Sequence, residues 1–153
     1  MAPARDTLRM TGEEVAAFLD ELTIGALGTV DAHGFPHQAN ISYIAEPERI
    51  AMTSFAKSQK VRNLERDPRA SLLVERTEAY HEYQGALIRG RIEISRDLPT
   101  ILALSYELEA RAVAAGRAVP PVDHERVAPK RVALFLSIDR VASWDHRKLD
   151  GRY

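Results

Sequence analysis

The segment at residues 50–75 constrains the fold most, because its pattern changes from strand to helix and back within a short length. Its first residues alternate between the two faces of a half-buried strand. Ser58 then stands at the N-cap position of a short helix over residues 59–66, where we expect its hydroxyl to accept a hydrogen bond from a free backbone N–H. Pro68 ends that helix, because its ring disfavours helical geometry at the preceding residue. Residues 70–74 are apolar again, so the segment predicts a strand, a short helix and a second strand.

The start of this short helix is a candidate anion site. Ser58, Gln59 and Lys60 come directly after a strand, and the first turn of a helix offers free N–H groups and the positive end of the helix dipole. Lys60 adds an ammonium group. Connecting loops also carry Ser, Gln and Lys because these residues are soluble and cap helices well. Spacing alone therefore leaves a phosphate site and a plain connection both open.

The rest of the chain predicts hairpins of antiparallel strands with two helices. One helix begins at Thr11, whose spacing from Glu14 is that of a capping box. The other begins after Asp97 and ends at Gly116. Successive hairpins favour an antiparallel barrel with helices outside over a doubly wound sheet. Further strands are predicted at residues 24–30, 35–44, 80–95, 132–138 and 141–144, and a surface loop at residues 118–129.

Composition limits the class of protein. The 153 residues predict a single domain over 1–153, with 1–10 a loose N-terminus. The net charge of −1 gives no general attraction to nucleic acid or to an anionic membrane. There is no cysteine, which excludes disulfides, thiolate metal sites and cysteine nucleophiles. No apolar run approaches the roughly 20 residues of a membrane span and no signal peptide is recognisable, so we expect a cytoplasmic location.

The predicted second strand carries several polar residues on one face. Gln38, Asn40 and Ser42 alternate with residues that face the other way. Simple exposure to solvent explains this pattern as well as a binding surface does. Both interpretations remain open at this point.

A family resemblance adds to these patterns. The chain resembles the pyridoxamine 5'-phosphate oxidase-like split β-barrel family, which includes flavin oxidases and the actinobacterial deazaflavin-dependent reductases. The likeness runs from about Thr11 to Trp144. The motifs that carry it are Thr53-Ser54, Ser58-Gln59-Lys60, Asn63-Leu64 and Asp67-Pro68-Arg69-Ala70-Ser71-Leu72.

The resemblance implies a mainly β fold with flanking helices, an antiparallel split β-barrel like that of FMN-binding proteins, with roughly six or seven strands. It also implies a homodimer whose cofactor lies in a groove between the two protomers. Cofactor binding would involve Asn40 and Ser42 near the ring, and Thr53, Ser54, Ser58, Gln59 and Lys60 near the phosphate and ribityl chain. Trp144 either packs beside the ring in a C-terminal tail or closes the end of the barrel.

The implied function is an oxidoreductase that transfers a hydride between a deazaflavin (F420) or flavin cofactor and a small conjugated organic substrate. The cofactor would supply the chemistry, so no catalytic residue is predicted. Ser58-Gln59-Lys60 and Arg62-Asn63-Leu64 look most like the actinobacterial deazaflavin-dependent branch, which favours F420 over FMN. In addition, the resembled FMN oxidases have Ser-Arg-Lys where this chain has Gln59, and basic ligands on an earlier strand where residues 38–44 have none. A dianionic FMN phosphate needs more cations than the monoanionic diester of F420.

Two alternatives remain. One is a non-catalytic FMN- or haem-binding split-barrel protein, with His146 as an axial haem ligand; the other is a structural domain without cofactor. The five histidines lack the spacing of a helical zinc motif, and no Gly-x-Ser-x-Gly motif exposes a nucleophile. Glu65 and Asp67 offset the arginines near the short helix, which argues against a nucleic-acid surface.

Overall fold

The computed structural model describes residues 4–150. This part of the chain contains seven strands and five helices, and three short 3-10 turns cover Tyr80–Glu82, Ala128–Lys130 and His146–Leu149. The helices are α1 (Ala4–Leu8), α2 (Gly12–Glu21), α3 (Gln59–Arg66), α4 (Leu98–Ala114) and α5 (His124–Val127). The strands are β1 (Ile24–Val30), β2 (Pro36–Ala45), β3 (Arg49–Phe55), β4 (Arg69–Arg76), β5 (Gln84–Ser95), β6 (Arg131–Ser137) and β7 (Arg140–Asp145).

All seven strands belong to one antiparallel sheet, in the order β4-β1-β2-β3-β6-β5-β7. Strand β4 also pairs with β5, and this pairing closes six of the strands into a barrel. Strand β5 is long enough to serve three neighbours: its first part pairs with β4 and β7, and its last part, from Ile92 to Ser95, pairs with β6. The predicted antiparallel split barrel is confirmed.

The alternation of side chains along each strand separates an inner from an outer face. Inward-facing residues such as Leu27, Leu72 and Ile88 are completely buried in the barrel core. On the outer face of β3 and β6, Ala51 and Ala133 form a second apolar cluster with helix α4. Helix α4 therefore covers one side of the barrel.

Three segments differ from the predictions. Where residues 1–10 were expected to be loose, 4–8 form helix α1, and Met10 packs in the barrel core while its N–H donates to Ser143 Oγ at 3.1 Å; residues 1–3 lie outside the described part. The strand predicted at 80–95 begins at Gln84, after a 3-10 turn. The predicted loop at 118–129 contains α5, which has too few residues to show a helical period.

Helices in the described part of the chain are all too short or too polar to cross a membrane.

Candidate functional site

A polar cavity of about 370 Å³ lies between the outer face of the barrel and the C-terminal half of helix α4. Strands β2 and β3 form one wall, and α4 with the segment after it forms the other. The register that pairs Tyr43 with Met52 places Ser42 beside Thr53 on the same outer face. The cavity therefore collects polar side chains from two neighbouring strands.

Five of the eight cofactor-binding residues predicted from the sequence line this polar cavity. Strand β2 contributes two of them, strand β3 contributes two, and the first turn of helix α3 contributes the fifth. They are Asn40, Ser42, Thr53, Ser54 and Lys60. The three others, Ser58, Gln59 and Trp144, are not among the lining residues.

Arg131 is a lining residue that the sequence analysis missed. Its guanidinium donates from Nη1 to Thr53 Oγ1 at 3.2 Å and lies over the ring of Phe55, 4.6 Å from the centroid. Its Nε is buried and has no hydrogen-bond partner among the described residues. Burial also lowers the pKa of Arg131. A fixed cation with an unused buried donor is suited to an anionic ligand.

Lys60 and Arg117 add positive charge to the same cavity. Burial lowers the pKa of Lys60 from its usual value. Arg117 Nη1 donates to Ser42 Oγ at 3.4 Å. Glu109 is the acidic residue of the lining, and its carboxylate hydrogen-bonds His124 Nε2. Three cations thus face one carboxylate that already has a partner.

Ser58 corrects a prediction about the start of helix α3. Its backbone has N-cap geometry, but its hydroxyl makes no capping hydrogen bond. The Ser58 Oγ lies 3.1 Å from Ser54 Oγ instead. The predicted side-chain cap is therefore wrong, because the hydroxyl is used to fix a residue that lines the polar cavity.

Gln59 also serves the fold locally. Its side-chain amide donates to Asn63 Oδ1 at 2.8 Å, and Asn63 Nδ2 donates to Thr29 Oγ1 at 3.0 Å. Asn63 is completely buried. This chain of hydrogen bonds ties helix α3 to strand β1.

Trp144 lies on strand β7, away from the polar cavity. It lines a second, mainly apolar cavity of about 1160 Å³ beside helices α1 and α2. Its indole covers Gly85 so closely that a Cβ there would lie 2.2 Å from Trp144 Cζ2. His146 is also outside the polar cavity, and its Nδ1 lies 3.1 Å from the carbonyl oxygen of Tyr80.

The cations that are missing from residues 38–44 and from position 59 come from distant parts of the chain. Residues 38–44 carry no basic side chain, but the pairing of β3 with β6 places Arg131 opposite Phe55. Arg117 arrives from the segment after helix α4. No local pattern marks either residue, because only strand pairing and helix packing bring them to the site. Among residues 4–150, no group of three or more His, Asp or Glu side chains is arranged to hold a metal ion.

Comparison with solved structures shows where this fold occurs. The conserved hypothetical protein Rv2991 from Mycobacterium tuberculosis is 29% identical, with 99% of this chain and 95% of that chain covered and a TM-score of 0.84. An F420 reductase is 23% identical, with 82% and 93% covered and a TM-score of 0.65. The FAD and haem binding protein from Mycobacterium smegmatis is 17% identical, with 88% and 71% covered and a TM-score of 0.67. The last two likenesses concern the fold alone.

The sequence itself matches a family profile over nearly its whole length. That profile, described as pyridoxamine 5'-phosphate oxidase, matches residues 11–145. The matched region includes every strand of the barrel and all the lining residues of the polar cavity. The protein belongs to the pyridoxamine 5'-phosphate oxidase family.

Proposed function

We propose that this protein is an oxidoreductase that binds the deazaflavin F420, with the cofactor phosphate in the polar cavity. The observation that carries the proposal is the buried Nε of Arg131, which has no hydrogen-bond partner among residues 4–150, in the same cavity as the partly buried Lys60. Leaving a buried donor unpaired costs about 1–3 kcal/mol. A bound phosphate would accept from Arg131 and offset the positive charge of both side chains.

The remaining lining residues fit the rest of such a ligand. Thr53 and Ser42 offer hydroxyls and Asn40 offers an amide on the outer face of neighbouring strands, and Ser54, the residue after Thr53, adds a hydroxyl near the end of β3. Bound F420 would supply the hydride chemistry. The residues of this chain would hold the phosphate, orient the ring and exclude water from it.

On the outer face of the sheet, a row of directly paired residues runs from Asn40 across four further strands. This row is Asn40, Ala26, Leu73, Leu87 and Ala142. Leu73 and Leu87 are only partly buried, whereas the inward-facing Leu72 and Ile88 are completely buried. We propose that a second copy of the chain packs on this row, which gives a homodimer with the cofactor ring between the protomers.

FMN is a second candidate cofactor, and one observation favours it. Arg131 and Arg117 supply cations that Gln59 and strand β2 lack, so a dianionic phosphate also finds partners. We keep F420 first because the Glu109 carboxylate in the same cavity opposes a dianion more than a monoanion. The structural likeness to an F420 reductase agrees with this order.

Fluorescence titration of the purified protein with F420 and with FMN tests the cofactor. We expect Lys60→Ala to weaken F420 binding by about 1–3 kcal/mol, the range for a hydrogen bond to a charged group. Lys57→Ala is the matched control, because it removes the same charge from an exposed position three residues away. Equal affinities of wild type and Lys60→Ala would refute the phosphate assignment.

The direction in which F420 affinity changes with pH is a second test of the role of Lys60. Burial lowers the pKa of Lys60 in the free protein, and a bound phosphate would raise it. Affinity should therefore be constant below the free-state pKa and fall as the pH rises through it.

Hydride transfer from reduced F420 to a conjugated probe tests the catalytic step, whereas haem binding with an intense Soret band would favour the non-catalytic alternative.

A further inference from the structure

We propose that a cluster of four arginines on the outer face of the barrel binds a multivalent anion. The arginine cluster consists of Arg69, Arg89, Arg91 and Arg140. It lines a recess of about 530 Å³ formed by strands β1, β2, β4, β5 and the start of β7. This recess shares no lining residue with the polar cavity.

Strand pairing places these four arginines next to one another. Arg69 is the direct partner of Arg91 across β4 and β5, and Arg89 is the direct partner of Arg140 across β5 and β7. Side chains of direct partners have Cβ atoms about 4.5–5.5 Å apart, and like charges at such positions destabilise a sheet. Arg89 and Arg91 are two residues apart and so share a face. The sheet therefore holds two adjacent pairs of like charge.

The positive charge of the cluster is only partly neutralised within the described residues. Arg69 pairs with Asp67, with Nη2 and Oδ2 2.7 Å apart. No carboxylate in residues 4–150 lies within ion-pair distance of Arg89, Arg91 or Arg140. Asp139 is the acidic residue in the lining of the recess. Within the described residues, four guanidinium groups of the cluster thus lie near two carboxylates, those of Asp67 and Asp139, which leaves a local excess of positive charge in a chain whose net charge is −1.

The donors of the recess define the ligand chemistry. Guanidinium groups bind carboxylate and phosphate through two parallel N–H bonds. Gln38 and Ser71 add an amide and a hydroxyl at the same level of the sheet, on either side of Gly28. Gly28 forms part of the floor of the recess and has no side chain there; a Cβ at this position would lie 2.8 Å from Ser71 Oγ. The recess fits a ligand with at least two carboxylate or phosphate groups.

The position of the recess connects it to the polar cavity. Gln38 belongs to the recess and Asn40 to the polar cavity, and these two residues lie on the same face of β2, about 7 Å apart along the strand. An anion in the recess would therefore lie at the far end of the surface on which the cofactor ring is proposed to rest. This step rests on the proposed function: the substrate of the reaction carries acidic groups that the arginine cluster binds.

Calorimetric titration of the whole protein, without cofactor, tests the site. The probes are citrate for carboxylates and pyrophosphate for phosphates, and the stronger binder identifies the group. We expect the double variant Arg89→Gln/Arg140→Gln to bind the stronger probe at least tenfold more weakly. Arg62→Gln/Arg126→Gln removes the same charge from exposed positions elsewhere, and should bind within twofold of wild type. Equal weakening in both double variants, or no binding of either probe to wild type, would overturn the proposal.

Thermal unfolding without any ligand separates binding from a structural role. Because the cluster contains like-charged partners, Arg89→Gln/Arg140→Gln should unfold at the same temperature as wild type or higher. A lower unfolding temperature would show that the arginines stabilise the fold and would count against the proposal. F420 titration keeps the two proposals distinct: citrate binding without F420 binding would refute the cofactor and leave the anion site standing.

Discussion

Two polar clusters contact helix α3, and they differ in how fully their hydrogen bonds are made. The amide network, formed by Gln59, Asn63 and Thr29, is a closed chain of hydrogen bonds with the buried Asn63 at its centre. The cation pair, Lys60 and Arg131, faces the polar cavity, and a buried nitrogen of Arg131 has no partner within the described residues. The two clusters use consecutive residues of helix α3: Gln59 belongs to the amide network and Lys60 to the cation pair.

This difference separates stability from binding. A buried polar group that is fully hydrogen-bonded helps to specify the fold, and removing one member leaves the others unpaired. A buried cation without a counter-charge opposes folding. Such a residue is therefore typical of a site where a bound ligand supplies the missing negative charge. We therefore expect the amide network to control the free energy of unfolding and the cation pair to control ligand affinity.

The largest expected effect is on stability, at Asn63. Asn63→Ala should lower the free energy of unfolding by about 2–3 kcal/mol, because it leaves the Thr29 hydroxyl and the Gln59 amide without their partner. Urea denaturation measures this change. Arg62→Ala, on the exposed side of the same helix, is the control and should change stability by less than about 0.5 kcal/mol. A loss at Asn63 no larger than at Arg62 would contradict the structural role of the network.

The next effect is on affinity, at Arg131. Arg131→Gln should weaken F420 binding by about 2 kcal/mol through loss of a charged hydrogen bond. The free energy of unfolding should stay within about 1 kcal/mol of wild type, because the lost contacts with Thr53 and Phe55 are offset by removal of a buried unpaired donor. Fluorescence titration and urea denaturation of one preparation measure both. If Arg131→Gln lowered the free energy of unfolding but left the affinity for F420 unchanged, Arg131 would serve stability and not binding.

The smallest effect compares two helix starts. Ser58→Ala should lower the free energy of unfolding by less than about 0.5 kcal/mol, because the Ser58 hydroxyl caps no backbone N–H. Thr11→Ala should cost about 1 kcal/mol, because Thr11 accepts from the N–H of Glu14 in a complete capping box. Equal losses in the two variants would mean that the hydroxyl of Ser58 supports helix α3 as a cap does.

Much of the fold was predictable because its signals are local. Strand β1 and helix α3 match their predicted ranges, since alternation, the N-cap position of Ser58 and Pro68 mark them in the sequence. Part of the site was predictable for the same reason, because Thr53, Ser54 and Lys60 lie within one short segment. The 3-10 turn before β5 and the four residues of α5 carry too little periodicity to be seen in the sequence.

The sequence by itself determined the strands, the two longer helices, the short helix α3 and the polar character of the segment after β3, because spacing and capping act within a few residues. The tertiary structure decided which charges meet. Arg131 reaches the polar cavity through the pairing of β3 with β6, and the arginine cluster forms through the pairing of β5 with β4 and β7. The physical reason is that strand register fixes which side chains lie opposite one another. No local pattern encodes a contact between residues as distant in sequence as Thr53 and Arg131.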